Sequence, residues 1–161
     1  MKTGIGSHTR AHRGATDSWI TPRHLIERLG PFDLDPCEAP VQPWPCAHQA
    51  FTDGGLTRPW HGRVWLNPPY GPQTGRWLER LAEHGDGIAL TFARTETRMF
   101  HRYVFGRAAA LMFLEGRLYF YRPDGSRAAG NAGGPSVLIA YGERNVACLN
   151  AAGRGVVVRE V

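Results

Sequence analysis

The sequence contains no apolar stretch long enough to cross a bilayer, and its first residues lack the apolar centre of a signal peptide. We therefore expect a cytoplasmic protein.

Three cysteines cannot all pair, and without a secretion signal reduced thiols are expected. Cys37, Cys46 and His48 include no closely spaced cysteine pair and have no convincing fourth ligand, so we predict no metal site.

Lysine is almost absent, since Lys2 is the only one, and the basic residues are nearly all arginine. The formal net charge of +5 favours an anionic partner such as nucleic acid. The alternative, that arginine, alanine and glycine merely reflect a GC-rich coding sequence, stays open. With 161 residues, 42% of them hydrophobic, the chain has enough apolar surface for one domain with its own core.

The order of predicted elements indicates an α/β fold. Residues 1–16 are polar and basic without periodicity, which predicts a flexible arm ahead of a single domain at 17–161. A helix is predicted from Thr21-Pro22, with Thr21 as its cap and Pro22 at its first position, to Gly30. Further helices are predicted over 74–84 and over 95–105, and strands within 31–36, around 49–52, and over 63–66, 88–93, 109–114 and 135–141. The segment 116–121 is expected to partner the preceding strand in a hairpin or to form an extended loop. This alternation predicts a mostly parallel central sheet.

Two unusual stretches follow predicted strands. Asp35-Pro36-Cys37 comes after the first strand, and Asn67-Pro68-Pro69-Tyr70 comes after the strand at 63–66. Ligands of such sheets bind outside the carboxyl ends of the strands, so these stretches mark the candidate site.

Asn67-Pro68-Pro69-Tyr70 has the chemistry to position a planar amine. Two prolines hold the backbone within a narrow range of angles, and each has a carbonyl but no N–H. The Asn67 side-chain oxygen and the Pro68 carbonyl can accept both hydrogens of an exocyclic amine, which directs the nitrogen lone pair at an electrophile. The Tyr70 ring can stack on a planar ligand. The alternative is a proline turn that merely ends a strand.

These residues resemble the signature of the gamma-type S-adenosylmethionine-dependent amino-methyltransferases, [Asn/Asp/Ser]-Pro-Pro-[Tyr/Phe/Trp]. More closely, residues 17–142 resemble the phage-type DNA N6-adenine methyltransferase family. The matching segments are W-x-T-P at 19–22, F-D-L-D-P-C at 32–37, D-G-G-L at 53–56 with Trp60, G-R-V-W-L-N-P-P-Y-G at 62–71, Trp77, A-R-T-E-T at 93–97, F-H at 100–101, G-R-L-Y-F at 116–120 and P-S-V-L-I-A-Y-G at 135–142.

The resemblance implies a minimal Rossmann-like domain that transfers a methyl group from S-adenosylmethionine to N6 of adenine in DNA, in a bacterial cell or encoded by a prophage. The implied catalytic residues are Asn67, Pro68, Pro69 and Tyr70. The implied cofactor-binding residues are Thr21, Pro22, Asp35, Pro36, Cys37 and Asp53. At 38–40 the family's glycine-rich continuation is replaced by Glu-Ala-Pro.

The substrate base would have to leave the duplex or be single-stranded, stacked on Tyr70. Arg94, Thr95 and Arg117 are the candidate DNA contacts, although isolated arginines are more often solvated surface charges. Two alternatives to DNA methylation remain: the same chemistry on RNA or on a protein glutamine, and a catalytically idle DNA-binding module of the same fold.

Overall fold

The computed structural model describes residues 18–159, so the arm predicted at 1–16 lies outside the described residues. The helices are α1 (Arg23–Leu29), α2 (Thr74–His84), α3 (Arg98–Tyr103) and α4 (Glu143–Ala152). The strands are β1 (Leu34–Asp35), β2 (Gln49–Ala50), β3 (Val64–Leu66), β4 (Gly87–Phe92), β5 (Ala110–Leu114), β6 (Ser136–Tyr141) and β7 (Gly155–Arg159). No helix in this described part is long and apolar enough to cross a membrane.

The protein has an α/β fold built on one seven-stranded sheet in the order β2-β1-β3-β4-β6-β5-β7. The neighbours from β2 to β4 pair in parallel, whereas β4 with β6, β6 with β5 and β5 with β7 pair antiparallel. The sheet is therefore mixed, and the expectation of a mostly parallel sheet holds only at the end formed by β2, β1, β3 and β4. The loop between β5 and β6 contains no crossover helix, and a chain that returns in this way pairs antiparallel.

Helices cover both faces of the sheet. The apolar residues of α1 and α4 pack on one face together with Trp65 of β3. Those of α2 and α3 pack on the other face, against Val64 and Leu66 of the same strand. Side chains alternate between the two faces of a strand, so β3 contributes to both cores and is buried throughout. Each large side chain buried in this way contributes about 1.5–3 kcal/mol to stability.

Most of the predicted elements are present, but α3 differs in extent and two further elements occur. α2 has the predicted bounds and ends at Gly85, which adopts the left-handed conformation. α3 is shorter than predicted because it begins after Thr97, whose hydroxyl accepts a hydrogen bond from the Phe100 backbone N–H. α4 and β7 were not predicted at all. The segment 116–121 is an extended loop, joined to Ile20 through an isolated bridge at Tyr121.

A buried polar network stabilises the amino-terminal ends of β3 and β4. Arg63 donates from Nε to Asn145 Oδ1 at 2.6 Å and from Nη1 to the Pro31 carbonyl at 2.9 Å. Asn145, which is fully buried, donates in turn to Asp86 Oδ1 at 3.0 Å. This network fixes the end of the sheet opposite to the two candidate stretches.

Candidate active site

The carboxyl ends of β1 and β3 border one cavity of about 180 Å³. β1 ends at Asp35 and β3 ends immediately before Asn67, and because these two strands are parallel neighbours their ends meet at one edge of the sheet. The structure thus brings the two unusual stretches together at one cavity. The cavity is lined by Ser18, Trp19, Ile20, Thr21, Asp35, Cys37, Glu38, Ala39, Pro40, Gln42, Cys46, Trp65, Asn67, Pro68, Pro69 and Tyr70.

The side chain of Asn67 is oriented by the segment that precedes α1. Its Nδ2 donates a hydrogen bond to the backbone carbonyl of Trp19 at 2.8 Å. A carbonyl can only accept, so the amide nitrogen must face Trp19 and the amide oxygen must lie on the other arm of the side chain. Asn67 lines the cavity, and Oδ1 is the acceptor that remains for a ligand.

The corner after Asn67 is fixed from α2. The hydroxyl of Thr74 donates to the Pro69 carbonyl at 2.7 Å and accepts from the Gly71 backbone N–H at 2.9 Å. Thr74 is buried, so both hydrogen bonds are shielded from water. Pro68 is buried and Pro69 exposed, which places the first proline inside the protein and the second at its surface.

Tyr70 lines the cavity but is more enclosed than a free stacking platform. Its ring stacks on Phe92, with centroids 4.4 Å apart and planes at 19°, and it meets Phe120 edge-on at 6.5 Å. Only the face away from Phe92 is left for a ligand. The phenolic oxygen is buried and has no hydrogen-bond partner among the residues described, and this burial raises the pKa of Tyr70.

Asp35 is a buried carboxyl group, only 4% exposed. Burial raises its pKa to about 7, because the charged form loses hydration, although a hydrogen bond from the Cys37 backbone N–H at 3.0 Å acts in the opposite direction. The nearby Glu38 raises it further by charge repulsion. Burial also raises the pKa of Cys37 to about 12, so this thiol stays protonated and unreactive near neutral pH.

The charged side chains that line the cavity within residues 18–159 are both acidic. In this part of the chain Asp35 and Glu38 are the only carboxylic acids of the lining, and no lysine, arginine or histidine belongs to it. Partial burial raises the pKa of Glu38 as well. A cavity of this composition disfavours a ligand with a net negative charge, such as a phosphate, and favours one whose net charge is zero or positive.

Thr21 lies in the cavity, but not as the helix cap that the sequence predicted. The residue that precedes the first turn of α1 is Pro22, and the helix start has no side-chain cap. Instead Thr21 is 1% exposed and its hydroxyl has no partner among residues 18–159, while its carbonyl accepts from Trp44 Nε1 at 3.0 Å. A buried hydroxyl without a partner is costly unless a ligand or water completes it.

The structure does not bring Asp53 to the cavity. Its side chain is 93% exposed and lies 3.8 Å from Arg58. Pro22 and Pro36 flank the cavity without lining it. Packing requires glycine at position 55, because a Cβ there would lie 1.8 Å from the Pro36 carbonyl oxygen. Gly55 therefore allows this loop to approach the end of β1.

The three candidate DNA contacts also lie outside the cavity lining. Arg94 is paired with Glu96, with Nε and Oε1 3.0 Å apart, and both side chains are exposed. Thr95 is exposed. Arg117 is exposed and donates to the Ala132 carbonyl at 3.4 Å.

The sequence assigns no role to several residues of the site, among them Trp19, Glu38, Gln42 and Thr74. Trp19 belongs to the matching segment W-x-T-P, but it orients Asn67 through its backbone carbonyl, which every residue has, so its side chain gave no signal of this contact. Thr74 could have been found, because a threonine at the first position of a helix is well placed to bond the turn before it. No family model, curated protein or solved structure matches this chain.

Proposed function

We propose that the protein transfers a methyl group from S-adenosylmethionine to N6 of adenine in DNA. The observation that carries this proposal is the orientation of Asn67. With its nitrogen bonded to the Trp19 carbonyl, the side chain presents an oxygen, at a strand end that borders a cavity. An oxygen in that position accepts a hydrogen bond from an amine, as the proposed chemistry requires.

The residues present fit this cofactor. S-adenosylmethionine has a sulfonium and an ammonium group and no phosphate, which agrees with a cavity whose charged groups are Asp35 and Glu38. The unpartnered Thr21 hydroxyl can donate to the carboxylate of the cofactor. The volume of about 180 Å³ is below the roughly 300 Å³ from which sites for drug-sized ligands start, so part of the cofactor would extend outside.

The protein's contribution to the reaction would be positioning. When bound, the cofactor supplies an electrophilic methyl group on its sulfonium. Asn67 Oδ1 and the Pro68 carbonyl accept the two amine hydrogens, so the nitrogen lone pair, otherwise delocalised into the adenine ring, is directed away from the ring plane. Thr74 engages the Pro69 carbonyl and keeps the corner rigid. The free face of Tyr70 stacks on the base, and the departing proton passes to water.

DNA is the substrate that the net charge of +5 supports. The acidic cavity does not admit phosphates, so the backbone would bind outside it and only a base would enter. Adenine N6 is paired inside a duplex, and the base must therefore be flipped or taken from a single strand.

Incubation with isotopically labelled S-adenosylmethionine and a mixture of DNA, RNA and protein, followed by mass spectrometry of nucleosides and peptides, tests the proposal. N6-methyladenine in the DNA is expected. Asn67→Ala should abolish transfer while leaving cofactor affinity within about twofold, because Asn67 contacts the amine and not the cofactor. Glu83→Gln, an exposed change on α2, is the matched control.

If the label appeared in RNA or in a glutamine side chain, the substrate would be RNA or protein and not DNA, with the same methyl-transfer chemistry. DNA binding without cofactor binding would instead identify a catalytically idle module. Equal rates for Asn67→Ala and the parent would refute the role given to Asn67.

A further inference from the structure

We propose that Asp35 and Glu38 make the cavity selective for a positively charged ligand, so that it holds the sulfonium cofactor more tightly than the neutral thioether formed by methyl transfer. This inference rests on the proposed function and adds to it a means of releasing the spent cofactor.

The first support is the charge of the lining. The chain as a whole carries a formal charge of +5, yet Asp35 and Glu38 are the only charged side chains among the described residues that border the cavity. Neither of them takes part in an ion pair within residues 18–159. Within the described part of this arginine-rich chain, the two carboxyl groups of the cavity thus have no counter-cation.

The second support is the surroundings of Asp35. Among residues 18–159, the titratable groups that face its carboxyl group are Glu38 and the thiols of Cys37 and Cys46, and none of these is a cation. The only hydrogen bond to its side chain in this part of the chain comes from the Cys37 backbone N–H. A buried carboxylate is stable only when it is paired, so a cationic ligand would supply the partner that Asp35 lacks among the described residues.

The third support is independent of charge. The hydroxyl groups of Thr21 and Tyr70 both belong to cavity-lining residues, and both are buried without partners in the described part of the chain. Thr21 is almost completely buried. Two orphaned donors beside two unpaired carboxyl groups indicate a place that a polar ligand completes.

Methyl transfer changes the charge of what the cavity holds. The bond between sulfur and the methyl carbon breaks, its electron pair stays on sulfur, and the new bond forms to the amine nitrogen, which releases one proton to water. The cofactor thereby loses one positive charge and becomes a thioether. The attraction from Asp35 and Glu38 to that sulfur disappears at this step, so the spent cofactor dissociates more readily.

Binding should also be linked to a proton. With a pKa of about 7 in the free protein, Asp35 is largely protonated at pH 6, and a cation that binds beside it favours the ionised form. Affinity for the sulfonium should therefore rise as the pH rises towards and just past 7, with proton release on binding.

Isothermal titration of the full chain with S-adenosylmethionine and S-adenosylhomocysteine, at pH 6 and pH 7.5, tests the inference. At pH 7.5 the sulfonium should bind about tenfold more tightly or better, and its affinity should fall about tenfold at pH 6. In Asp35→Asn the preference should shrink to within about twofold, with the pH dependence lost. Glu83→Gln removes an exposed carboxylate outside the lining, so it should leave the preference for the sulfonium ligand and the pH dependence of binding unchanged.

Glu38→Gln, at a less buried position, provides the test should Asp35→Asn fail to fold, and it should reduce the preference partly. Equal binding of the two ligands by the parent protein would overturn the selectivity but not the proposed function. A preference that survives both substitutions would overturn the role of the two carboxyl groups. If neither ligand binds the folded protein, the proposed function fails and the inference falls with it.

Discussion

The Nδ2 atom of Asn67 lies 2.8 Å from the backbone carbonyl oxygen of Trp19, 48 residues earlier in the chain. The bond joins the corner after β3 to the segment ahead of α1, which is itself held by two backbone hydrogen bonds between Ile20 and Tyr121. A distant segment of backbone thus decides that Asn67 presents its amide oxygen, and not its amide nitrogen, to the cavity.

Asn67→Asp should separate the hydrogen bond that orients this side chain from the acceptor role that we propose for its oxygen. The substitution keeps an oxygen for the amine but sets a carboxylate against the Trp19 carbonyl, so the rate should fall about 10- to 100-fold at pH 8. A protonated carboxyl group can donate to Trp19, so the rate relative to the parent should recover as the pH falls. Steady-state kinetics from pH 5 to 8 measure this, with Asn67→Ala as the variant that cannot recover. A constant ratio across this range would contradict the orientation.

Thr74→Val should lower the free energy of unfolding by about 1–3 kcal/mol, because it leaves the Pro69 carbonyl and the Gly71 N–H without their partner. It should also reduce kcat, since the corner loses its fixed geometry. Thr74→Ser keeps the hydroxyl and is the matched control. Urea denaturation and initial rates provide the two measurements, and equal losses in both variants would show that the hydroxyl is not what holds the corner.

Gly55→Ala should destabilise the protein by about 1–3 kcal/mol or more, because the added Cβ would overlap the Pro36 carbonyl and the Trp77 ring. Gly133→Ala adds the same methyl group where no atom lies within 4 Å, and it should change stability by less than about 0.5 kcal/mol. Thermal or urea unfolding of the two variants makes the comparison. Similar stabilities would mean that the loop at 53–56 is not packed on the end of β1 as described.

Asp35→Asn should change how stability depends on pH. The folded pKa of about 7 exceeds the unfolded value of 3.8, so the folded state binds the proton more strongly, and stability falls as the pH rises from about 4 through 7. That difference corresponds to on the order of 4 kcal/mol above pH 7. The substitution removes this loss, so the variant should gain on the parent between pH 5 and pH 8. Urea unfolding of Asp35→Asn and the parent at pH 5 and at pH 8 tests this. If the two proteins differed by the same free energy of unfolding at each pH, the prediction would be contradicted.

The sequence predicts which strand ends lie together better than it predicts the contacts of single side chains. Asn67 and Asp35 line one cavity because strand ends follow from apolar runs, and the order of elements brings those ends to one edge. Asp53 was placed by separation along the chain, and such a separation does not say which way a loop side chain points. Thr21 was predicted as a cap from its position before a proline, although its hydroxyl turns into the interior.

The fold was predictable where one physical signal dominates. α2 shows a clear helical period and a terminal glycine, whereas α4 buries Asn145, whose polar side chain interrupts the apolar pattern and is satisfied by Arg63 and Asp86. The continuous apolar run of β6 predicts a buried strand but has no direction encoded in it. The antiparallel half of the sheet therefore followed only from the structure.

The polar network of Arg63, Asn145 and Asp86 lies at one end of β3 and the cavity at the other. A strand of three residues is only about 10 Å long, so the network and the cavity are close in space, yet none of the three network residues lines the cavity. The lining of the cavity can thus be changed without removing a hydrogen bond of the network.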